Sequence, residues 1–116
     1  MAGQEKKNGV LADCLGQAQE LTALVEYAKD SVVSKTILSK SVGSITLFAF
    51  DKGQSLSEHT SPYDAVVQVL DGSARLTIGD RDKTACAGQL IIMPANVPHA
   101  VIAEEKFKML LIMIRA

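Results

Sequence analysis

Two stretches of the chain decide its fold: GQSLSEHTSPYDAVVQVLDG at residues 53–72 and GQLIIMPANVPH at residues 88–99. Each stretch begins with a glycine and contains one of the chain's two histidines, His59 in the first and His99 in the second. Each also contains an apolar run, at 65–70 and at 89–93, of the length and composition typical of a β-strand. Taken singly, His59 could be a partly exposed loop residue after Glu58, and His99 a hydrogen-bonded histidine beside the turn at Pro98.

The same β-strand pattern continues on both sides of these stretches. Strands are predicted at 31–38, 44–50, 65–70, 73–78, 83–86, 89–93, 100–103 and 109–114. Turns are predicted at 41–43, 51–53, 71–72, 79–80 and 87–88, where glycine allows a positive φ or aspartate stabilises the turn. No helix-length periodic segment lies between the strands, which excludes a parallel βαβ arrangement. The pattern predicts an all-β sandwich or barrel.

The amino-terminal quarter has a different pattern. Residues 1–11 lack periodicity and are predicted to be a flexible tail, which leaves 12–116 as one domain. Between Ala12 and Ala28 apolar residues recur at spacings of three and four, which predicts a short helical segment. Its end, 24–27, is equally compatible with a strand, and Gly16 disfavours an unbroken helix. A short helical or irregular segment before the barrel is the expectation.

Composition describes an ordinary globular domain and excludes several function classes. The 116 residues are 47% hydrophobic and 22% charged, with a formal net charge of -1. The 12 basic residues are mostly scattered, so no surface for nucleic acid is predicted. The longest apolar run, 109–114, is far shorter than the roughly 20 residues that a membrane-spanning helix needs. The chain is not expected to interact with nucleic acid or membrane.

Location and redox state are predicted from the start of the chain and from its cysteines. Residues 1–7 are polar and precede no apolar signal core, which predicts a cytoplasmic protein. Only Cys14 and Cys86 are present, so no disulfide framework is expected. Both are predicted to be small buried or half-buried residues.

The carboxy-terminal strand is apolar at every position from Met109 to Ile114. Both of its faces therefore need cover, and a barrel interior covers only one. A second copy of the chain is the predicted cover, so a homodimer is expected. The alternative cover is the amino-terminal segment of the same chain.

The two stretches together resemble the paired sequence motifs of the cupin family. Gly53, five further residues, His59 and the closing Gly72 are similar to the first motif. Gly88, five further residues, Pro94 and then His99 are similar to the second motif. The resemblance implies a small single-domain cupin, an antiparallel β-barrel or jelly roll in which both histidines face one interior pocket. Because cupins have many unrelated functions, it implies a fold more than an activity.

The chain departs from the family pattern at three positions. Ser61 stands where the first motif usually has a second histidine, and Ala65 stands where it usually has a glutamate. Two of the four implied metal ligands are therefore missing. Asn96 stands where the second motif usually has a glycine, and asparagine also tolerates left-handed geometry. The loop is expected to keep its shape.

His59 and His99 are the candidate metal ligands, for one divalent ion such as Fe, Mn, Ni or Zn. A firmly held ion normally needs a third protein ligand, for which Asp64 and Gln68 are weak candidates. Asp64 is alternatively a residue that orders the turn at 61–64. Without a metal, the two imidazoles are predicted to hold a polar or anionic small molecule. Ser61 and Tyr63 are expected at the pocket rim, with Met93 and Met109 in its wall.

Two functions follow from this ligand set. The first is a small-molecule-binding cupin without efficient catalysis, because the metal ligands are incomplete. The second is a metal-dependent oxygenase or isomerase that uses His59, His99 and an oxygen ligand. The sequence does not decide whether the protein is an enzyme.

Overall fold

The computed structural model describes residues 6–7 and 9–115, in which nearly all regular structure is antiparallel β. The strands are β1 Lys6–Lys7, β2 Val10–Leu11, β3 Val32–Lys40, β4 Gly43–Phe50, β5 Ser55–His59, β6 Asp64–Asp71, β7 Ser73–Ile78, β8 Arg81–Cys86, β9 Leu90–Met93, β10 His99–Ile102 and β11 Phe107–Ile114. Two short 3-10 turns, Ala12–Cys14 and Leu21–Ala23, precede β3. The predicted all-β class is confirmed.

The strands form two sheets. Seven strands make the larger sheet, in the order β1-β2-β3-β4-β11-β6-β9, and four make the smaller one, in the order β5-β10-β7-β8. Every pairing is antiparallel. One apolar cluster draws on strands of both sheets, so the sheets face each other across a shared core, as in a jelly roll.

Strand alternation separates that core from the outer face of the larger sheet. In β4, Phe48 and Phe50 belong to the interior cluster, whereas Leu47 and Ala49 belong to a second cluster on the outer face. The rings of Phe50 and Phe107 stack inside the barrel with their centroids 4.6 Å apart. Phe50 is the last residue of β4 and Phe107 the first of β11, so the stack lies at one end of these strands.

The amino-terminal segment covers part of the outer face. Leu21, Leu24 and Val25 pack against Leu47 and Leu110 in the outer cluster, and Val25 is only 3% exposed. This is the alternative cover that the sequence left open for β11. It does not extend over the whole sheet, because Leu90, Ile92 and Ile114 remain more than half exposed.

Two polar contacts hold this covering segment in place. The Lys108 ammonium donates a hydrogen bond of 2.6 Å to the Thr22 carbonyl oxygen, and the Tyr27 hydroxyl donates one of 2.6 Å to the Asp71 carboxylate. Burial, together with Asp71, raises the pKa of the Tyr27 phenol, so the phenol keeps its proton and remains a donor. The segment is thus fixed to β11 and β6 by directional bonds as well as by apolar contact.

The segment predicted to be helical or irregular is irregular chain with two single 3-10 turns. Gly16 has φ +69°, which ends any right-handed helix at that point. The tail predicted at 1–11 lies partly outside the described residues, while its last two residues form β2 with Leu11 buried. Cys86 is exposed, so its predicted burial is wrong, and Cys14 is half-buried; both are free thiols. In the described part of the chain, no helix has the length and apolarity needed to cross a membrane.

Candidate functional site

Two connections between the sheets bring the histidines together. Residues 60–63 join β5 of the smaller sheet to β6 of the larger, and residues 94–98 join β9 of the larger sheet to β10 of the smaller. His59 is the last residue of β5 and His99 is the first of β10, and the two are partners across the antiparallel pair. Both histidines therefore lie at the same end of the barrel.

A β-bulge decides which residue of β5 lies beside His99. Val101 is partnered by Leu56 and His99 by His59, so β5 advances three residues where β10 advances two. Val101 is buried in the interior cluster and Leu56 packs against it. Regular pairing would have placed Glu58 opposite His99. The extra residue brings His59 to that position in place of the carboxylate.

The two imidazole rings are in direct contact. Their Nε2 atoms are 3.1 Å apart, and the rings meet edge to face at 77°. The Nδ1 atom of His59 is 2.8 Å from the Ser57 carbonyl oxygen, and that of His99 is 3.2 Å from the Val97 carbonyl oxygen. Since a carbonyl only accepts, a neutral ring that donates to it from Nδ1 has its lone pair at Nε2.

Two lone pairs that face each other repel, and the repulsion is relieved by a proton or a cation shared between them. His99 is 2% exposed, whereas His59 is an exposed residue. Burial lowers the pKa of the His99 imidazole, with a further contribution from the neighbouring His59 and an opposing one from the Val97 carbonyl. His99 is therefore held in the neutral form, which is the form that binds a metal or accepts a hydrogen bond.

Hydrogen bonds tie the two connections to each other. The Ala95 N–H donates to the Asp64 carboxylate at 2.8 Å, and the Asn96 N–H donates to the Ser61 carbonyl oxygen at 2.7 Å. Asn96 has φ +65°, which confirms that asparagine adopts the left-handed geometry expected there. Asp64 thus orders the neighbouring loop through Ala95, which is a different role from the predicted metal ligand or turn residue.

Comparison with known proteins agrees with this geometry. The family model described as "Cupin domain" matches residues 46–115, which is more than half of the chain. The chain belongs to the cupin family. A comparison with curated proteins gives no match.

Solved structures of other proteins share the fold at moderate identity. A conserved protein of unknown function from Streptococcus pyogenes is 39% identical, with a TM-score of 0.83 over 86% of this chain and 88% of that one. A cupin 2 conserved barrel domain protein from Leptotrichia buccalis is 42% identical, with a TM-score of 0.77 over 79% of this chain, which spans 45% of that protein. A cupin superfamily protein from Desulfitobacterium hafniense is 28% identical, with a TM-score of 0.82 over 86% of this chain and 92% of that one.

The other predicted site residues of this cupin occupy different places. Met93 and Met109 are buried in the interior cluster. Ser61 and Tyr63 are half-buried beside the histidine-bearing connections, where the Ser61 hydroxyl accepts a hydrogen bond from the Tyr63 N–H at 3.1 Å. Gln68 alternates with buried Val67 and Val69, so it lies on the outer face and does not face the histidine pair.

Sequence reasoning missed two apolar residues on the inner faces of the sheets. Ile78 is the partner of His99 on β7, and Met113 is the partner of Ala65 on β11; both pack against the interior cluster. The alternation of β7 predicts that Ile78 faces the interior, but its pairing with His99 depends on the strand order of the smaller sheet. A separate open cavity of about 540 Å³ on the outside of the barrel, formed by 24–28 and 33–35, shares no residue with the histidine site.

The histidine pair fits a metal ion, but the ligand set is partial. With metal–nitrogen distances of about 2.1 Å, the observed separation of 3.1 Å corresponds to a nitrogen–metal–nitrogen angle of about 95°. Two adjacent ligands of a metal polyhedron meet at such an angle. Within the described residues, however, no group of three or more His, Cys, Asp or Glu side chains is placed to hold a metal. Any other ligands must come from elsewhere.

Proposed function

We propose that this cupin binds a small molecule at the barrel end, where it contacts the Nε2 atoms of His59 and His99. The observation that carries the proposal is the pair of Nε2 atoms 3.1 Å apart, on two rings that are each oriented by a backbone carbonyl beside Nδ1. A ligand with an acidic proton or a cationic group satisfies both lone pairs. Binding without efficient catalysis agrees with the two absent metal ligands.

The surroundings support a ligand that is polar at one end and apolar at the other. Ile78, Met93 and Met113 are apolar neighbours on the two inner faces, while Ser61 and Tyr63 provide polar groups beside the connections. Pockets that bind small molecules combine such apolar walls with few polar groups. We propose Ser61, Tyr63, Met93 and Met109 as further ligand contacts, with Met109 the deepest.

The second candidate function is a metal-dependent enzyme, such as an oxygenase or isomerase. It is favoured by the separation of the two Nε2 atoms, which suits one divalent ion of Fe, Mn, Ni or Zn. The ion would supply a Lewis acid beside open coordination positions. His59 and His99 would hold it, and the carbonyl oxygens of Ser57 and Val97 would keep the rings oriented.

Protein purified without chelator distinguishes the two functions. Element analysis and native mass spectrometry are applied to the wild type and to the His59→Ala variant, which changes an exposed residue and leaves the core intact. A bound small molecule without metal, lost in the variant, supports the binding module. A stoichiometric metal, lost in the variant, supports the enzyme. Equal composition of wild type and variant contradicts both.

We further propose that the protein is a cytoplasmic homodimer. Leu90, Ile92 and Ile114 leave part of the outer sheet face apolar and exposed, although Val25 and its neighbours cover the rest. The cytoplasmic location is supported by the two free cysteines. Sedimentation equilibrium at micromolar concentration is expected to show a dimer that Ile92→Glu dissociates, and a monomeric wild type contradicts the assembly.

A further inference from the structure

Methionine is concentrated on the inner face of this barrel. The chain has four methionines. Three of them, Met93, Met109 and Met113, belong to the interior cluster or pack against it. Thioether sulfur is a soft ligand that few metal ions prefer, so its distribution relative to the histidine pair is informative.

Two of the three methionines flank the position where the family resemblance implies a glutamate ligand. On β6, Ala65 is the partner of Met93 on β9 and of Met113 on β11. The three residues therefore form one row across the larger sheet. Ala65 is 1% exposed and faces the interior. Residues with thioether sulfur, Met93 and Met113, therefore flank Ala65, the position where the family resemblance implies a carboxylate.

This row lies at the barrel end that carries the histidines. Met93 precedes the connection 94–98, which leads directly to His99, and Ala65 is two residues beyond the connection 60–63, which begins after His59. Facing sheets pack about 10 Å apart. Inward side chains from the two sheets meet midway across that distance. Ile78, the partner of His99, packs against the same cluster as Met93 and Met113.

We propose that the site binds monovalent copper through the imidazoles of His59 and His99 and the thioethers of Met93 and Met113. This inference rests on the proposed function, because it uses the same histidine pair. Neutral imidazole together with thioether forms a ligand set of intermediate to soft character, which favours Cu(I) over the harder divalent ions. No carboxylate among the described residues completes a harder site with the two histidines.

The test compares Cu(I) with Zn(II) in the same protein. Cu(I) is titrated anaerobically against a colorimetric Cu(I) chelator, and Zn(II) against a zinc-sensitive dye. The variants are Met93→Leu and Met113→Leu, which conserve volume. Ile91→Leu is the matched control, because Ile91 also packs against the interior cluster, lies two residues before Met93 on the same face of β9, and is not a proposed ligand.

The wild type is expected to take up one Cu(I) per chain. Met93→Leu and Met113→Leu should each weaken Cu(I) binding at least tenfold and leave Zn(II) binding within about twofold, while Ile91→Leu should change neither. Copper X-ray absorption of the wild-type complex should show sulfur neighbours, which tests the proposal even if a variant fails to fold. Cu(I) affinity unchanged in the Met93→Leu/Met113→Leu double variant, or a copper spectrum without sulfur, overturns it.

The outcomes also separate this inference from the proposed function. Metal binding that requires His59 but ignores both methionines refutes the thioether ligands and leaves the histidine pocket standing. Metal binding unaffected by His59→Ala places the ion elsewhere and refutes the copper site together with the metal-dependent alternative.

Discussion

Exchange of Glu58 and His59 tests which of these two positions on β5 lies opposite His99. The double variant Glu58→His/His59→Glu keeps the composition and net charge of the chain. With the bulge in place, residue 59 remains opposite His99 and residue 58 remains exposed. The variant therefore presents a carboxylate to His99 and moves the second imidazole to the surface. If β5 paired regularly instead, residue 58 would lie opposite His99 and the variant would keep both imidazoles together.

The exposure of positions 58 and 59 determines the expected change in stability, and the loss of one imidazole determines the expected change in metal affinity. Substitutions at exposed positions change the free energy of unfolding by about 0.5 kcal/mol or less, so the urea midpoint should hardly move. Removal of a residue that only orients a metal ligand costs about 10–100-fold in affinity. Loss of the imidazole itself should weaken Ni(II) or Cu(I) binding by more than about 100-fold.

Isothermal titration with Ni(II) or Cu(I) measures this loss, with His59→Gln as the control for simple ligand removal. The exchange variant should bind about as weakly as His59→Gln. Any difference in affinity between these two variants measures the contribution of the carboxylate that the exchange places opposite His99. Affinity equal to that of the wild type would show that residue 58 faces His99, and the bulge argument would be refuted.

Three further predictions concern the support of the site and the stability of the fold. Asp64→Ala should accelerate amide hydrogen exchange at Ala95 at least tenfold, whereas Asp64→Asn, which keeps an acceptor, should not; equal rates would contradict the loop tie. Val25→Ala should lower the free energy of unfolding by about 2 kcal/mol in urea titrations, against less than about 0.5 kcal/mol for exposed Val42→Ala. Metal-free protein should lose stability as pH falls from about 7.5 to 5.5, because the unfolded chain takes up a proton at its ordinary pKa while burial keeps His99 neutral. The slope should be smaller in His99→Gln, and an equal slope would assign the effect to other groups.

Much of the fold could be predicted from local patterns. Strict alternation in β7 places Ala74 and Leu76 inside, and both are fully buried. The apolar run from Met109 to Ile114 in β11 predicts cover on both faces, and its outer residue Leu110 does pack against the amino-terminal segment. These predictions succeed because a side chain's face follows from strand period, a local property.

Elements that depend on distant partners were harder to predict. Strand β5, Ser55–His59, was not predicted because Leu56 is its only apolar residue and most of the strand is exposed. It is an edge strand, stabilised on one side by β10, and an edge needs little apolar surface. The segment 12–28, expected to be helical or irregular, forms irregular chain with two short 3-10 turns for a related reason. Its apolar spacing serves contact with the outer face of the larger sheet, which the segment makes as irregular chain.

The candidate site could be predicted as a pair of residues but not as a geometry. Motif spacing brings His59 and His99 to one barrel end, yet alternation counted from half-buried Leu56 would turn Glu58 inward and His59 outward. The bulge reverses that assignment. A bulge depends on the register between β5 and β10, which cannot be read from the alternation of a single strand.

The geometry of the histidine pair does not depend on the two implied ligands that the chain lacks. Ser61 lies on the connection after β5, and Ala65 lies on β6 in the other sheet, whereas His59 and His99 are held by adjacent strands of one sheet and by their own backbone carbonyls. Because neither imidazole is oriented by the residues at positions 61 and 65, replacement of those residues removes ligands without moving the pair. The surviving site is therefore a preorganised two-nitrogen unit. Its preference for a small molecule, a divalent ion or copper is determined by what the facing sheet presents to it.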